Sequence, residues 1–210
     1  MDSKITIDCK EIKLEAVLNE NSLQKAVIIT HPHPLYGGNM DNSVVMSIEK
    51  AFFNRGFTTL KFNFRGTCNS TGMFDDGNGE QDDVLAALSF LEKKKGFERI
   101  LLAGYSFGAR INAKLVAGGC KIDDHIMISP PVGFMSFDDI EKMPHTGLII
   151  SGDNDEIAPS NLIQEHIAKW GLKVQYKTIK NCDHFYSDSL GQLEGIIDSY
   201  LKESFFEIPF

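Results

Sequence analysis

The chain has little positive charge and few cysteines. Its 210 residues include 21 Lys and Arg against 29 Asp and Glu, which gives a formal net charge of −8. That balance excludes an extended phosphate-binding surface, because nucleic-acid binders need clustered cations. The four cysteines show neither a C-x-x-C pair nor a zinc-binding spacing. They therefore predict free thiols in a reducing compartment, and we expect no nucleic-acid partner.

Long apolar runs are also missing. No stretch of about 18 apolar residues is present, so we expect no membrane span and no membrane partner. The N-terminal segment is polar and lacks the apolar core of a signal peptide. Together with the thiols, this predicts a cytoplasmic protein. Repeats, low-complexity segments and linkers are absent too, so we expect one domain over residues 1–210. Within it, residues 1–20 form N-terminal strands and residues 203–210 form an apolar tail.

What the sequence does contain is a regular alternation of short apolar runs and helical patterns. Strands separated by helices of about 10–15 residues imply crossover connections, and hence a mostly parallel sheet with helices on both faces. Ligands of such sheets bind at the carboxyl ends of the strands. We predict two strands within residues 5–18 and further strands at 26–30, 58–64, 100–103, 125–129, 148–151 and 174–179. We predict helices at 42–55, 80–94, 107–116, after residue 159 and at 190–201, with a short one at 137–143.

One strand end carries a nucleophile motif. The segment Gly104-x-Ser106-x-Gly108 follows an apolar run and opens a predicted helix. A serine on a sharp strand-to-helix turn needs neighbours that lack Cβ atoms, and the helix N-terminus favours a nearby oxyanion. The alternative interpretation is that Ser106 is an ordinary helix N-cap.

A nucleophilic serine requires a base and an acid. Of six histidines, only His184 lies between the last predicted strand and the last predicted helix. The preceding strand is followed by Asp153 and Asp155, either of which can orient a histidine. The order Ser, Asp, His differs from that of the chymotrypsin and subtilisin types. Asp183 is a less suitable acid, since it adjoins His184 in sequence.

Three longer segments resemble a known superfamily. The segment that begins at Gly152 and ends at Pro159 is similar to the G-x-x-D-x-x-x-P acid loop of α/β-hydrolases. Residues 30–42 (THPHPLYGGNMDN) and 62–83 (FNFRGTCNSTGMFDDGNGEQDD) resemble a bacterial subgroup of small, cap-less, dienelactone-hydrolase-like members. The resemblance covers about residues 20–202. It implies an α/β-hydrolase fold of about eight strands without a cap domain, and it assigns the acid to Asp155.

The same resemblance implies two oxyanion donors. The residue after the nucleophile, Phe107, supplies one N–H group, and the loop after the third strand supplies the other. Prolines 32 and 34 have no N–H, so Leu35 or Tyr36 is the expected second donor. His31 and His33 have the spacing of a metal pair, but no third ligand accompanies them. We therefore predict that they support the loop by hydrogen bonds and that the chain holds no metal.

Two further regions are candidates for contact with substrate. Arg65 follows a strand at the catalytic edge, where it either pairs with Glu80 or Asp83 to fix the Gly-rich loop or binds a substrate carboxylate. Residues 130–147 are too few to fold as a cap. They can form one wall of a shallow pocket, which we expect Val132, Phe134 and Met135 to line. A shallow pocket favours short acyl groups.

These features predict a serine hydrolase that cleaves small esters or thioesters through an acyl-enzyme, with no cofactor. The alternatives are a peptidase or acyltransferase with the same triad, and a non-catalytic binding protein on a hydrolase scaffold. The last six residues contain four large apolar side chains, which should not remain in water. We expect them to dock on the domain or across a symmetric homodimer, with the dimer favoured.

Overall fold

The computed structural model describes residues 2–21, 24–94, 96–171 and 173–205. These residues form eight strands, five α-helices and a short 3-10 helix at Pro34–Tyr36. The strands are β1 (Asp2–Cys9), β2 (Ile12–Asn19), β3 (Lys25–Thr30), β4 (Thr58–Phe62), β5 (Arg99–Tyr105), β6 (Asp124–Ile128), β7 (Thr146–Gly152) and β8 (Gln175–Ile179). The helices are α1 (Ser43–Asn54), α2 (Gly79–Lys93), α3 (Phe107–Ala117), α4 (Ser160–Trp170) and α5 (Leu190–Phe205).

All eight strands form one sheet in the order β1-β2-β4-β3-β5-β6-β7-β8. The pairs β1–β2 and β2–β4 are antiparallel, and every other neighbouring pair is parallel. β5 lies in the middle of the parallel part, between β3 and β6. The loops that follow the parallel strands therefore meet at one edge of the sheet, as predicted.

Side chains of the central strands alternate between two buried cores. In β3, Val27 and Ile29 face a core shared with α1 and α5, whereas Ala26 and Ile28 face a core shared with α2, α3 and α4. A strand covered on both faces must be apolar at every position, which explains the continuous apolar run in the sequence. The described chain is thus an α/β-hydrolase fold, a mostly parallel eight-stranded sheet with helices on both faces.

The region between β6 and β7 differs from the prediction. Residues 137–143 form turns and irregular backbone instead of a short helix. The apolar spacing that suggested a helix does mark buried positions, since Phe137, Ile140 and Met143 are all buried. Two side chains from neighbouring helices bind the backbone here: Trp170 donates to the Ile140 carbonyl and Arg110 to the Ser136 carbonyl. These contacts replace the hydrogen bonds that a helix would have supplied.

Candidate active site

Three polar side chains converge at the carboxyl edge of the sheet. Ser106 follows β5, Asp155 follows β7 and His184 follows β8. The Ser106 hydroxyl lies 2.9 Å from His184 Nε2, and both carboxylate oxygens of Asp155 lie 2.9 Å from His184 Nδ1. Residues far apart in sequence thus form one continuous hydrogen-bonded array, with the geometry that nucleophilic catalysis requires.

The turn that carries Ser106 is strained and closely packed. Ser106 has a φ angle of 54°, which is unusual for a residue with a side chain. A Cβ atom on Gly104 would lie 2.6 Å from the Ala109 nitrogen, and one on Gly108 would lie 2.5 Å from Thr30 Oγ1. Both glycines are therefore required by close approach. The Ser106 side chain makes no helix-capping hydrogen bond, so the alternative interpretation as an ordinary N-cap is wrong.

The Asp155 carboxyl is buried yet ionised. Its side chain is fully buried and contacts His184 Nδ1. Burial raises the pKa of Asp155, but hydrogen bonds from His184, Ser129 and the Ala158 N–H outweigh it and leave the pKa below its ordinary value. The Ile157 N–H donates to the same carboxylate at 3.0 Å. An ionised acceptor at Nδ1 holds the imidazole in one orientation and leaves Nε2 to face Ser106.

The two rival carboxylates have local roles. Asp153 accepts a hydrogen bond from the Cys182 N–H at 3.4 Å, and Asp183 accepts one from the Phe185 N–H at 3.0 Å. Neither contact involves the His184 ring. The carbonyl of His184 is held separately, because the buried Tyr105 hydroxyl donates to it at 2.8 Å. The loop after β8 is thus fixed from two sides, and the structure places Asp155 alone of the three against Nδ1.

The loop after β3 contains the histidines of the HPHP segment. His31 is fully buried, accepts a hydrogen bond from the Phe64 N–H at 3.0 Å and lies 2.6 Å from the Pro32 carbonyl. Burial lowers its pKa to about 4, so the ring is neutral near pH 7. This ring supports the loop, as the sequence suggested. Among the described residues, no group of three or more His, Cys, Asp or Glu side chains is placed to hold a metal ion.

The two N–H groups that we expected to face an oxyanion are used inside this loop. The Leu35 N–H donates to His33 Nδ1 at 3.3 Å, and the Tyr36 N–H donates to the His33 carbonyl at 3.1 Å. In contrast, no described residue accepts a hydrogen bond from the His33 N–H or from the Phe107 N–H. The His33 and Phe107 rings are in contact, with centroids 4.8 Å apart. The two unpartnered donors therefore belong to neighbouring residues.

Arg65 does not reach the substrate pocket. Its guanidinium forms a bidentate ion pair with Asp83, whose side chain is fully buried, with a shortest distance of 2.7 Å. Glu80 instead accepts hydrogen bonds from the Asp75 and Gly77 N–H groups. Of the two roles that the sequence left open for Arg65, the structure shows the ion pair. The substrate-binding role is not supported, because Arg65 is absent from the described lining of the pocket beside Ser106. The ion pair joins the residue after β4 to α2 and so fixes the Gly-rich loop between them.

A pocket of about 410 Å³ opens beside Ser106. Phe134 and Met135 line it, as predicted, whereas Val132 packs against the core on the α2, α3 and α4 face of the sheet. The prediction for Val132 is wrong because the turn after β6 points this side chain inward. Sequence analysis did not assign several other residues to the lining, although six of them lie within the quoted segments 30–42 and 152–159: Pro32, His33, Gly37, Gly38, Asn42, Tyr105, Pro131, Ile157 and Phe185.

The fold and the array together define a serine-hydrolase type of site, and solved structures of other proteins are similar to this chain over nearly its whole length. A serine hydrolase homologue from Coxiella burnetii is 32% identical, with a TM-score of 0.87, over 95% of this chain and 97% of that one. A serine hydrolase without a lid from Xanthomonas campestris is 28% identical, with a TM-score of 0.89, over 99% and 97%.

An uncharacterized protein of Rickettsia prowazekii is 36% identical over 183 residues, which cover 83% of this chain and 77% of that protein. No family model matches the sequence. The chain belongs to the α/β serine hydrolases, within the α/β-hydrolase superfamily, and its relatives support a hydrolase function. The narrower resemblance to dienelactone hydrolases stays a prediction. None of the helices in the described part of the chain combines the length and apolar character needed to span a bilayer.

Proposed function

We propose that this chain hydrolyses small esters or thioesters through an acyl-enzyme formed on Ser106. The observation that carries the proposal is the array in which Ser106, His184 and Asp155 are joined by contacts of 2.9 Å. A serine hydroxyl is a poor nucleophile until a base accepts its proton, and His184 Nε2 is in place to do so. Asp155 orients the imidazole and stabilises the imidazolium that forms.

The reaction then proceeds in two steps, acylation and deacylation of Ser106. The Ser106 oxygen bonds to the substrate carbonyl carbon while His184 takes the hydroxyl proton. His184 returns that proton to the alcohol or thiol as its bond to the carbonyl carbon breaks, which leaves an acyl-Ser106 ester. Water attacks this ester with His184 again as base. The carboxylic acid leaves, and the proton returns to Ser106.

We assign the oxyanion donors to the Phe107 and His33 N–H groups. Phe107 is the first residue of α3, where an N–H has no partner within the helix. His33 takes the place that we first gave to Leu35 or Tyr36, whose N–H groups are occupied in the turn. Two backbone donors directed at the developing negative charge contribute to catalysis without reorganisation during the reaction.

The test combines a covalent probe with a substrate panel. A fluorophosphonate reagent should label the wild-type protein and fail to label Ser106→Ala, because only an activated serine reacts. Ester and thioester series of graded acyl length are then measured with both proteins. We expect hydrolysis that depends on Ser106. Equal rates for wild type and Ser106→Ala on every substrate would exclude the proposal.

A further inference from the structure

Three exposed aromatic side chains surround the mouth of the pocket beside Ser106. Tyr36 is 74% exposed, Phe134 is 58% exposed and Phe185 is 63% exposed, and all three line the pocket. We call these three residues the aromatic rim. Large apolar groups in water are unfavourable, and a cluster of them at a concave site marks a surface that a ligand covers.

The rim residues come from three separate loops. Tyr36 follows β3, Phe134 follows β6 and Phe185 follows β8. The rings of Tyr36 and Phe134 meet edge to face, with centroids 6.0 Å apart and an interplanar angle of 72°. A third ring added to such a pair gains stacking or edge contacts beyond its apolar area. Because the two rings already contact each other, they do not form an open cage for a cation.

The charges around the pocket disfavour anions. No Lys or Arg is among its lining residues. The lining groups that can carry positive charge are His33 and His184, and burial lowers the pKa of His33. Asp183 adjoins the catalytic histidine, and Asp76 is the carboxylate that acts on His33. A carboxylate or phosphate on the substrate would therefore enter a pocket whose described lining offers it no Lys or Arg partner.

We propose that the preferred substrates are uncharged esters that carry an aromatic ring close to the ester group. The inference rests on the proposed hydrolysis at Ser106 and names the substrate class of that site. The ring stacks against the aromatic rim while the ester carbonyl lies at the oxyanion donors. The same arrangement rejects substrates with a negative charge near the ester, such as the monoesters of short dicarboxylic acids.

The experiment compares benzyl acetate with cyclohexylmethyl acetate. The two leaving alcohols have similar size, and in each the ring is insulated from the ester oxygen by one methylene group. Cyclohexyl is the more apolar ring, so burial alone predicts that cyclohexylmethyl acetate reacts faster. Stacking predicts the reverse. We expect kcat/KM for benzyl acetate to be about fivefold higher or more, as a ring contact worth about 1 kcal/mol implies.

Two variants test whether the aromatic rim causes the preference for benzyl acetate. Tyr36→Leu and Phe134→Leu keep apolar bulk but remove the π face, and each should lower the benzyl preference toward unity. Met73→Ala is the matched control, because Met73 is 82% exposed and does not line the pocket. It should leave the preference unchanged. A wild-type ratio of one or less, with hydrolysis that still depends on Ser106, would overturn the substrate assignment while leaving the proposed function intact.

Charge is tested with diethyl glutarate and its monoethyl ester, which differ by one carboxylate. We expect the neutral diester to have at least tenfold higher kcat/KM. Faster cleavage of the anion would overturn the inference. Faster cleavage of acetylcholine than of its uncharged analogue 3,3-dimethylbutyl acetate would do the same and would identify the rim as a cation site. Absence of both probe labelling and hydrolysis would instead reject the proposed function itself.

An independent observation concerns two buried hydroxyl groups, those of Ser129 and Tyr186. Ser129 follows β6 and Tyr186 follows His184 by two residues, and both are fully buried. Their hydroxyl oxygens lie 2.8 Å apart, and hydrogen bonding by Ser129 is among the causes that lower the pKa of Asp155. An ionised carboxylate can only accept. Ser129 therefore donates to Asp155, and its oxygen accepts from the Tyr186 hydroxyl.

Both residues hold this position at a conformational cost. Ser129 has a φ angle of 44° and Tyr186 one of 57°. Positive φ angles are rare for residues with side chains, and they persist where the surrounding structure imposes them. Ser129 and Tyr186 add two groups to the array, which then runs from Tyr186 to Ser129 to Asp155 to His184 to Ser106.

We infer that Ser129 and Tyr186 are positioning residues for the reaction at Ser106. Their hydroxyls fix the Asp155 carboxylate and set how strongly it attracts the proton on His184. Losing a donor makes the carboxylate more basic, so the Asp155–His184 pair holds a proton up to a higher pH. The other titratable groups that act on Asp155 or its neighbours are Tyr105, Cys182, Asp153 and Asp183.

The readout is the pH dependence of kcat/KM. In Ser129→Ala, the acidic limb of the profile should move upward by roughly half a pH unit or more, and kcat should fall about tenfold with little change in KM. Tyr186→Phe should shift the limb in the same direction by less, because the Ser129 donor remains.

The chain offers a matched control pair. Ser151 and Tyr176 have hydroxyls 2.8 Å apart in the same sheet, away from the Asp155 carboxylate. Ser151→Ala and Tyr176→Phe each remove a hydroxyl of the same kind, and they should leave the pH of the acidic limb unchanged. A Ser129→Ala protein whose melting temperature falls while its pH profile matches wild type would show a merely structural role and overturn the inference.

Discussion

At the scale of single residues, the site depends on one serine held at a φ angle of 54°. We expect Ser106→Ala and His184→Ala each to lose roughly 10³-fold or more in kcat. The two losses should not add, since nucleophile and base act as one unit. Steady-state kinetics of the two single variants and the double variant on one ester measure this. Additive losses would contradict a shared role.

The role of Asp155 as the orienting acid is tested with isosteric asparagine substitutions at Asp155 and Asp153. Asp155→Asn should lose far more activity than Asp153→Asn. Both carboxylate oxygens of Asp155 contact Nδ1, whereas an asparagine amide has a single acceptor oxygen and would disturb the orientation of the ring. Asp153→Asn removes only a carboxylate that accepts from the Cys182 N–H. Similar kinetics for the two variants would reject Asp155 as the orienting acid.

Arg65 provides a prediction about stability. Arg65→Ala leaves the Asp83 carboxylate buried without its bidentate partner. We expect a loss of about 3 kcal/mol or more in the free energy of unfolding. Denaturant titration measures the loss, and Lys10→Ala is a control, because its ion pair with Asp82 is exposed. Equal stability of Arg65→Ala and wild type would contradict the structural role that we assign to this ion pair.

Sequence reasoning reached some of these residues and missed others for a physical reason. Ser106, Asp155 and His184 follow from strand order and short motifs, because a triad needs fixed residue types at strand ends. Ser129 follows a strand but belongs to no motif, so its position in the sequence does not indicate a role at the site. Whether Leu35 or His33 has a free N–H depends on hydrogen bonds within one turn. Such details become visible only when the backbone path is known.

At the scale of elements, helix α5 is attached to the sheet by a buried acid. The Tyr200 hydroxyl donates to Asp124 at 2.7 Å, and the His125 and Gly147 N–H groups bond to the same carboxyl. Burial raises the pKa of Asp124 to about 6 despite these donors. The folded state therefore binds a proton here more tightly than the unfolded chain does.

The sign of the pH effect follows. The stabilisation from Asp124 is complete below its unfolded pKa near 4 and is lost as the pH rises through about 6. In Asp124→Asn this loss is absent, so relative to wild type the variant should gain stability between pH 4 and pH 7, by at most about 3 kcal/mol. Urea titrations at several pH values test this. Asp8→Asn, at an exposed position of β1, is the control, and parallel curves for all three proteins would contradict the assignment.

The elements themselves were largely predictable, with one instructive exception. Continuous apolar runs predicted the buried strands because both faces of the sheet are covered. The apolar spacing of residues 137–143 correctly marked buried positions but not their backbone. Trp170 and Arg110 satisfy the carbonyls there, and a single sequence pattern cannot show side-chain donors that come from other helices.

At the scale of the whole molecule, the pocket is open and only 17 residues separate β6 from β7, which is too few for a folded cap. We expect a preference for acyl groups of about two to eight carbons, because a shallow site buries few methylenes, each worth about 0.8 kcal/mol. The measurement is kcat/KM for p-nitrophenyl esters of increasing length. A rate that climbs beyond about twelve carbons, or jumps when an emulsion forms, would indicate a lid or a deep tunnel.

The C-terminal tail gives a second prediction at this scale. Phe205 docks on the domain, with its ring 5.9 Å from that of Phe57 and near the Arg99 guanidinium. Phe206, Ile208 and Phe210 lie outside the described residues, and the homodimer stays a prediction. A chain that ends at Ser204 should melt at lower temperature and have the mass of a monomer by light scattering, against a dimer for the full chain. Identical masses and melting temperatures would remove any such role.

The order in which the three site residues occur along the chain has a consequence during synthesis. Ser106 precedes His184 by 78 residues, and Asp155 lies between them, so the proposed nucleophile is synthesised well before its acid and its base. β8, which positions His184, is also the last strand of the sheet. A product that ends before β8 therefore carries the proposed nucleophile without its base, and we expect it to be inert. Under the proposed mechanism, reactivity at Ser106 reports that synthesis has passed His184 and that the sheet has folded.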